Sequence, residues 1–304
     1  MVTKDIDKNT LDFKTKDGLT LKADAYGDPQ NPGVVFAHGG GQTRHAWGNT
    51  AKYLAMRGWY ALTLDLRGHG ESSWSPNGHY EINSFVDDLR LVASSFDKPP
   101  AVVGASLGGI SAMLAEGGTE ENYFSSVVLV DIAPRIEEKG VSHIAEFMMN
   151  KLEEGFGSLE EVAQAVADYL PQRKRSSNPE SLRKNVRLCD DGRFRWHWDP
   201  KVMGDEGSGR EDSERQDTDF AMREAAAANL QVPTMLVRGK MSDVVSERSV
   251  DEFLALVPHA KYVNVTGAGH MVAGDQNDIF SEHVVEFLQE ALNGDNDWSQ
   301  MYKG

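Results

Sequence analysis

Residues 104–109 read Gly-Ala-Ser-Leu-Gly-Gly, which places Ser106 in the pattern G-x-S-x-G. The apolar run 101–103 before it predicts a strand, and a helix is predicted to begin near Gly108. A serine on so tight a strand-to-helix turn has an exposed hydroxyl, and small neighbours keep the backbone from colliding with itself. We therefore predict that Ser106 is a nucleophile; the alternative is an inert serine in a glycine-rich turn. Residues 104–109 are called the serine turn below.

Acyl transfer by a serine needs hydrogen-bond donors for the oxyanion that develops during attack. The backbone N–H of Leu107, directly after the serine, is one predicted donor. The second is predicted in residues 38–42, His-Gly-Gly-Gly-Gln, called the glycine loop below, where glycines let the backbone approach a substrate closely. We assign the N–H of Gly40, with Gly41 next. The loop lacks the glycine–lysine motifs of phosphate-binding loops, which disfavours that alternative.

The chain has nine histidines that could serve as the general base. His270 follows the last strand signal in the run 267–270, Gly-Ala-Gly-His, where a flexible loop can bring an imidazole over the serine. His38 is predicted to support the shape of the glycine loop, and His69 to be structural. We therefore predict His270 as the base.

The acid that orients this histidine is expected between the serine and the histidine in chain order. Asp243 follows directly after the predicted strand 234–237 and is the predicted acid. Asp131, at the end of the strand 126–130, is the alternative. In either case the carboxylate holds one imidazole tautomer and stabilises the imidazolium formed during attack.

Strand and helix signals alternate along the first 133 residues and return after residue 230. This alternation predicts an α/β fold with a mostly parallel central sheet and helices on both faces, with the chemistry at the carboxyl ends of the strands. Between them the chain is mainly helical, including 179–188, and 204–219 is very polar and expected to be mobile, at a hinge or a pocket mouth. We predict a core of residues 1–133 and 231–304, with a helical cap, or lid, inserted at 134–230.

The composition excludes several classes of partner. A net charge of −16 over 304 residues argues against nucleic acid and against an anionic membrane surface. Cys189 is the sole cysteine, so no internal disulfide forms, which suits a reducing compartment. Neither a signal peptide nor an apolar stretch of membrane-spanning length is visible, and no metal motif is present. We expect a cytoplasmic monomer or homodimer without a cofactor or metal.

Five segments together resemble the α/β-hydrolase superfamily, namely residues 38–42, 65–72, 104–109, 238–243 and 267–270. They resemble most the capped group of esterases, non-haem haloperoxidases, epoxide-hydrolase-like proteins and C–C hydrolases. The resemblance implies a Ser-His-Asp triad, an oxyanion hole and a cap over the substrate. Epoxide hydrolases and haloalkane dehalogenases of this fold use an aspartate nucleophile, so Ser106 disfavours both chemistries.

The predicted function is hydrolysis of a small to medium, partly apolar carboxylic ester through an acyl-enzyme on Ser106. The alternative hypothesis is C–C hydrolysis of the meta-cleavage type, because Trp47 and Asn49 follow the glycine loop at the spacing found in those enzymes. However, Met271 and Gln42 replace the tryptophan and the proline that are usual there. Haloperoxidase-like peracid formation is a further alternative, and a non-catalytic ligand-binding role is disfavoured because every triad position is filled.

The cap is expected to form the roof of the substrate pocket, and cap–core packing is the alternative role for its apolar side chains. The residues assigned to substrate binding are Gly41, Trp47, Phe147, Met148, Trp196 and Met271.

Overall fold

The computed structural model describes residues 7–169, 178–203, 212–266, 268–269 and 277–293. The strands in these residues are β1 (Lys8–Lys14), β2 (Thr20–Tyr26), β3 (Gly33–Ala37), β4 (Tyr60–Leu64), β5 (Ala101–Ala105), β6 (Ser126–Val130), β7 (Val186–Leu188), β8 (Phe194–Trp196), β9 (Thr234–Gly239) and β10 (Lys261–Val265). The α-helices are α1 (Gly48–Ala55), α2 (Ile82–Ala93), α3 (Leu107–Gly117), α4 (Glu138–Met149), α5 (Leu159–Tyr169), α6 (Asp212–Ala228), α7 (Glu247–Leu256) and α8 (Ser281–Asn293). Short 3₁₀ turns cover Arg44–Trp47, Pro179–Asn185, Pro200–Met203 and Asn277–Phe280.

The central sheet has eight strands in the order β1-β2-β4-β3-β5-β6-β9-β10. β2 pairs antiparallel with both β1 and β4, and every other pairing in this sheet is parallel. Parallel strands are buried on both faces because their crossover helices cover them. The predicted α/β class with a mostly parallel sheet is confirmed.

Strand β3 illustrates how the sequence fills both layers. Val35 and Ala37 belong to one apolar cluster, which includes side chains of α2, α3 and α7, whereas Val34 and Phe36 belong to the other, which includes side chains of α1 and α8. Successive side chains of a strand point to opposite faces, so one uniformly apolar run supplies both layers. The carboxyl ends of β3, β5, β6 and β9 therefore meet along one edge of a well-packed sheet.

The segment between β6 and β9 forms a separate layer with its own apolar core. Phe156, Val162 and Trp198 are buried there among side chains of α4, α5 and β8. The prediction of helix over 179–188 is wrong in its last three residues, because Val186–Leu188 pair antiparallel with Phe194–Trp196. Pairing with β8, whose apolar and polar residues alternate, overrides the local helical preference there.

Helix α6 packs on the core although it lies inside the predicted cap, 134–230. Its buried Ala226 and Ala227 join the same cluster as α3, and no side chain could replace Gly117 without meeting the backbone of Ala226. The part of the insertion that packs on itself thus ends before α6. Of the polar run 204–219, residues 204–211 lie outside the described residues and 212–219 are helical.

Within the described ranges, no helix combines the length and the apolar character needed to cross a bilayer.

Candidate active site

Ser106 occupies the sharp turn between the end of β5 and the start of α3. Its φ is 46°, in a region that non-glycine residues rarely adopt. The conformation is held from both sides, since its N–H donates to the Val130 carbonyl at 3.2 Å and its carbonyl accepts from the Ile110 N–H at 2.9 Å. Strain of this kind persists only where the surroundings over-determine it, and it clusters at functional sites.

The glycines of the serine turn are required by close backbone contacts. A Cβ on Gly108 would lie 2.6 Å from the Ala37 carbonyl oxygen, at the end of β3. A Cβ on Gly104 would collide with the Gly108 carbonyl, and one on Gly109 with the side chain of Ile132. The spacing G-x-S-x-G-G is therefore the spacing at which this turn can pack between its neighbouring strands.

The glycine loop lies directly against the nucleophile. A Cβ on Gly39 would sit 3.3 Å from the Cβ of Ser106. Three of the four N–H groups in residues 39–42 are occupied: that of Gly39 donates to Gln42 Oε1 at 3.0 Å, that of Gln42 to the Gly39 carbonyl at 3.1 Å, and that of Gly41 to His69 Nε2 at 3.1 Å.

Two backbone donors beside Ser106 are left over. Among the described residues, neither the N–H of Gly40 nor that of Leu107 has an acceptor. Backbone N–H groups in folded proteins are nearly always paired, so two unpaired ones beside a strained serine are available to a ligand oxygen. These are the two donors that the sequence predicts for an oxyanion hole, and the bond to His69 removes Gly41 from that role.

Two buried histidines brace the glycine loop. His38 Nδ1 faces the Gly39 carbonyl at 2.8 Å, and its Nε2 accepts from the Leu66 N–H at 3.1 Å. His69 Nδ1 faces the Arg67 carbonyl at 2.9 Å, and its Nε2 accepts from Gly41. A nitrogen that accepts from a backbone N–H carries no proton, so both rings are neutral with the proton on Nδ1.

Burial agrees with this neutral state. Burial lowers the pKa of His38 to about 4 and that of His69 to about 3, because a charged imidazolium would lose its hydration there. The sequence predicted supporting roles for both histidines. It did not indicate that their rings accept the N–H groups of Leu66 and Gly41.

Arg44 anchors the chain just after the glycine loop, and the sequence analysis missed it. Its backbone N–H donates to Asp65 Oδ1 at 2.6 Å, and its buried guanidinium pairs with Asp24, Asp65 and Glu71. A buried arginine must be paired with carboxylates to offset the loss of its hydration. Its position after a glycine loop at a strand end was the only available signal.

Asp131 lies at the carboxyl end of β6, immediately after the residue that binds the Ser106 N–H. It is almost fully buried with a φ of 51°, and its N–H donates to the Val237 carbonyl at 2.7 Å. Its carboxylate accepts from the Gly239 N–H at 3.0 Å and from the Ser242 hydroxyl at 2.9 Å. The carboxylate is thus held between β6 and β9 by fixed donors.

Asp243, the predicted acid, faces the cap. Its side chain is 39% exposed, and its Oδ2 lies 3.0 Å from Nδ1 of His143 on α4. The His143 ring packs against Tyr169 at the end of α5, with 4.6 Å between ring centroids. Burial and the negative charges of Asp243 and Asp131 raise the pKa of Tyr169. The cap therefore contacts the core at Asp243, in the loop after β9.

Several residues assigned to the substrate pocket lie instead inside the apolar clusters of the core and the cap. Trp47 is fully buried against Phe36, 5.2 Å between ring centroids, within the core. Phe147 and Trp196 pack on each other at 5.7 Å inside the cap cluster, which also contains Met148. These contacts match the alternative of packing roles.

Two of the predicted site residues lie outside the described residues, namely the base His270 and the pocket residue Met271.

Comparison with known proteins places this geometry in a family. A model described as the alpha/beta hydrolase family matches residues 34–283. Esterase Rv0045c of Mycobacterium tuberculosis is 30% identical over 255 residues, which cover 81% of this chain and 78% of the relative. The mouse sn-1-specific diacylglycerol lipase ABHD11 is 30% identical over 271 residues, covering 86% and 82%.

A solved structure of the M. tuberculosis esterase superimposes with a TM-score of 0.69 at 25% identity, covering 95% of this chain and 92% of that one. The predicted superfamily and the hydrolase class are confirmed at this level, and the chain belongs to the alpha/beta hydrolase family.

Proposed function

We propose that this protein hydrolyses carboxylic esters of small to medium, partly apolar substrates through an acyl-enzyme on Ser106. The observation that carries the proposal is the strained serine flanked by two backbone N–H groups, of Gly40 and Leu107, that lack acceptors among the described residues. Donors fixed in this way stabilise a developing oxyanion without reorganising at the moment of reaction.

The relatives support an ester as the substrate class. The M. tuberculosis relative is named an esterase, and the mouse relative a diacylglycerol lipase. Both names describe cleavage of an acyl ester. We infer the same reaction class here.

The proposed reaction proceeds in two halves with His270 as the base. His270 takes the Ser106 proton as the hydroxyl attacks the ester carbonyl, and the Gly40 and Leu107 N–H groups bind the oxyanion. His270 then protonates the leaving alcohol. In the second half, water activated by His270 attacks the acyl-enzyme and releases the acid.

For the acid of the triad we propose Asp131, with Asp243 as the alternative. An acid that orients a histidine works best when it is buried and itself fixed by hydrogen bonds. Asp131 meets both conditions through Gly239 and Ser242, whereas Asp243 is half-exposed and paired with His143. Asp243 would then serve as a contact between core and cap.

The test combines covalent labelling with turnover. Wild-type protein should be labelled at Ser106 by a fluorophosphonate probe and should hydrolyse a short p-nitrophenyl ester. Ser106→Ala should abolish labelling and reduce turnover by about four orders of magnitude or more. Ser111→Ala is the matched control. Ser111 is a buried serine on α3, the helix that begins after Ser106, and its hydroxyl donates to the Leu107 carbonyl.

Equal labelling of wild type and Ser106→Ala would refute the nucleophile assignment. A separate test compares turnover of a panel of esters, lactones and a dienone substrate for C–C cleavage, and it defines the reaction class. Faster cleavage of the dienone than of any ester would replace the ester proposal with C–C hydrolysis.

A further inference from the structure

The conformation of the glycine loop depends on a side chain from another part of the chain. Within residues 39–42, the bonds of Gly39 and Gln42 close the loop on itself. The bond from the Gly41 N–H to His69 Nε2 instead ties it to the loop after β4. Gly41 has a φ of 78°, so the chain turns sharply just after the N–H of Gly40.

The imidazole of His69 is itself fixed. It is completely buried, its Nδ1–H donates to the Arg67 carbonyl, and its ring lies edge-on to that of His38 with 5.1 Å between centroids. Its only remaining polar atom, Nε2, therefore has one direction in which to present its lone pair, toward Gly41. Such a fixed acceptor determines where the N–H of Gly41, and the peptide before it, can lie.

The cap covers the loop after β4, which carries His69. The Gly70 N–H donates to the His197 carbonyl at 2.7 Å, and the Asp199 N–H donates to the Gly68 carbonyl at 2.7 Å. His69 and Trp198 face each other in an isolated antiparallel bridge. Under this cover both His69 and Gly41 are buried, and a hydrogen bond in so buried a position is stronger than one exposed to solvent.

We propose that His69 is a positioning residue for the oxyanion hole: by holding the Gly41 N–H, it fixes the orientation of the Gly40 N–H beside Ser106. The inference deepens the proposed esterase function and rests on it. His69 acts through the backbone and does not contact the substrate. Its loss should therefore impair stabilisation of the transition state more than binding of the ground state.

The experiment compares two substitutions at this position. His69→Leu keeps an apolar body but has no acceptor, whereas the Oε1 of His69→Gln can occupy the place of Nε2 and accept from Gly41. His69→Leu should reduce kcat for a p-nitrophenyl ester by 10- to 100-fold, somewhat less than loss of an oxyanion donor, with KM changed less than about threefold. His69→Gln should recover kcat to within about fivefold of wild type.

A second readout reports the oxyanion hole itself. A trifluoromethyl ketone forms a tetrahedral adduct with a catalytic serine and places its oxygen in the hole. Its inhibition constant should rise in proportion to the loss of kcat for His69→Leu. A merely structural role would not produce this parallel.

Glu116→Leu is the matched control for loss of stability. Glu116 is a buried acceptor of the Tyr123 and Phe124 N–H groups, about 15 Å along α3 from the nucleophile. Both leucine variants should unfold at lower temperature than wild type, but Glu116→Leu should keep its kcat within about twofold. Unchanged kcat in folded His69→Leu, or equal loss in the leucine and glutamine variants, would overturn the proposal.

Failure of the proposed function and failure of the His69 proposal give different results. Wild-type protein that neither reacts with the fluorophosphonate nor cleaves esters would refute the proposed function. If His69→Leu does not fold, the nitrogen chemical shifts of the His69 ring in labelled wild-type protein decide the question. An unprotonated Nε2 supports the proposed bond to Gly41, and a protonated Nε2 contradicts it.

Discussion

The serine turn and the cap contact at Asp243 lie near the same sheet edge but are built in opposite ways. The serine turn is held by backbone hydrogen bonds and by glycines that no larger residue can replace. At Asp243, by contrast, the cap meets the core through His143, and the side chains of His143 and Asp243 are 48% and 39% exposed. The comparison indicates that the candidate chemistry is fixed by the core, whereas the pairing of His143 with Asp243 can change at little energetic cost.

The largest effect that would sharpen this comparison concerns the two carboxylates. Asp131→Asn should reduce kcat by about three to four orders of magnitude, because an amide cannot stabilise the imidazolium and favours the wrong tautomer. Asp243→Asn should reduce it by less than about tenfold. Steady-state kinetics of both variants on one p-nitrophenyl ester measures the difference.

The reverse ranking would assign the acid to Asp243 and would make the cap contact part of the catalytic machinery. Ser242→Ala supplies an intermediate case, since it removes one donor to Asp131 and keeps both carboxylates, although it also removes the acceptor of the Val244 and Val245 N–H groups. We expect a loss of kcat smaller than that of Asp131→Asn.

The next effect concerns stability and pH. His38 and His69 remain neutral in the folded protein down to pKa values of about 4 and about 3, whereas in the unfolded chain each takes up a proton below about 6.5. The unfolded state thus binds more protons, and stability falls as pH decreases below about 6.5. Each histidine contributes a slope of about 1.4 kcal/mol per pH unit once its unfolded form is protonated.

Denaturant unfolding between pH 7 and pH 5 tests this slope. His69→Gln should be less sensitive to pH than wild type by the contribution of one histidine. His79→Gln is the control for the loss of a histidine side chain, because His79 is exposed to solvent. Identical slopes in wild type and His69→Gln would show that His69 binds as many protons in the folded protein as in the unfolded chain, which would contradict the buried neutral state.

The smallest effect concerns the cap contact. His143→Gln should change the free energy of unfolding by no more than about 1 kcal/mol, since both partners are exposed to solvent. It should raise amide hydrogen exchange in α4 while leaving kcat within about twofold. A loss of kcat beyond a hundredfold would show that the cap contact is as firmly tied to the chemistry as the serine turn.

The sequence predicted the parts of the molecule that depend on local backbone geometry. The serine turn, the glycine loop and strand β6 (Ser126–Val130) follow from glycine spacing and short apolar runs, which are properties of consecutive residues. The hairpin of β7 and β8 escaped prediction because it depends on pairing between two three-residue segments.

Side-chain partners between distant segments were equally hidden. Nothing near Gly41 in the sequence indicates that His69 accepts its N–H. Likewise, the donors that hold the Asp131 carboxylate come from Gly239 and Ser242, more than a hundred residues away. Chain order could not reveal them, because Asp131 and Asp243 both lie between the serine and the histidine.

The packing of α6 on α3 determines where a recombination junction in the insertion should lie. Because the chain has already returned to the core by Asp212–Ala228, a chimera whose downstream junction precedes this helix would preserve the support behind the nucleophile helix. A donor segment cut at residue 230 would instead carry a foreign helix against Gly117, where there is no room for a misfit. Recombination between relatives would therefore transfer substrate preference most cleanly when its crossover lies before α6.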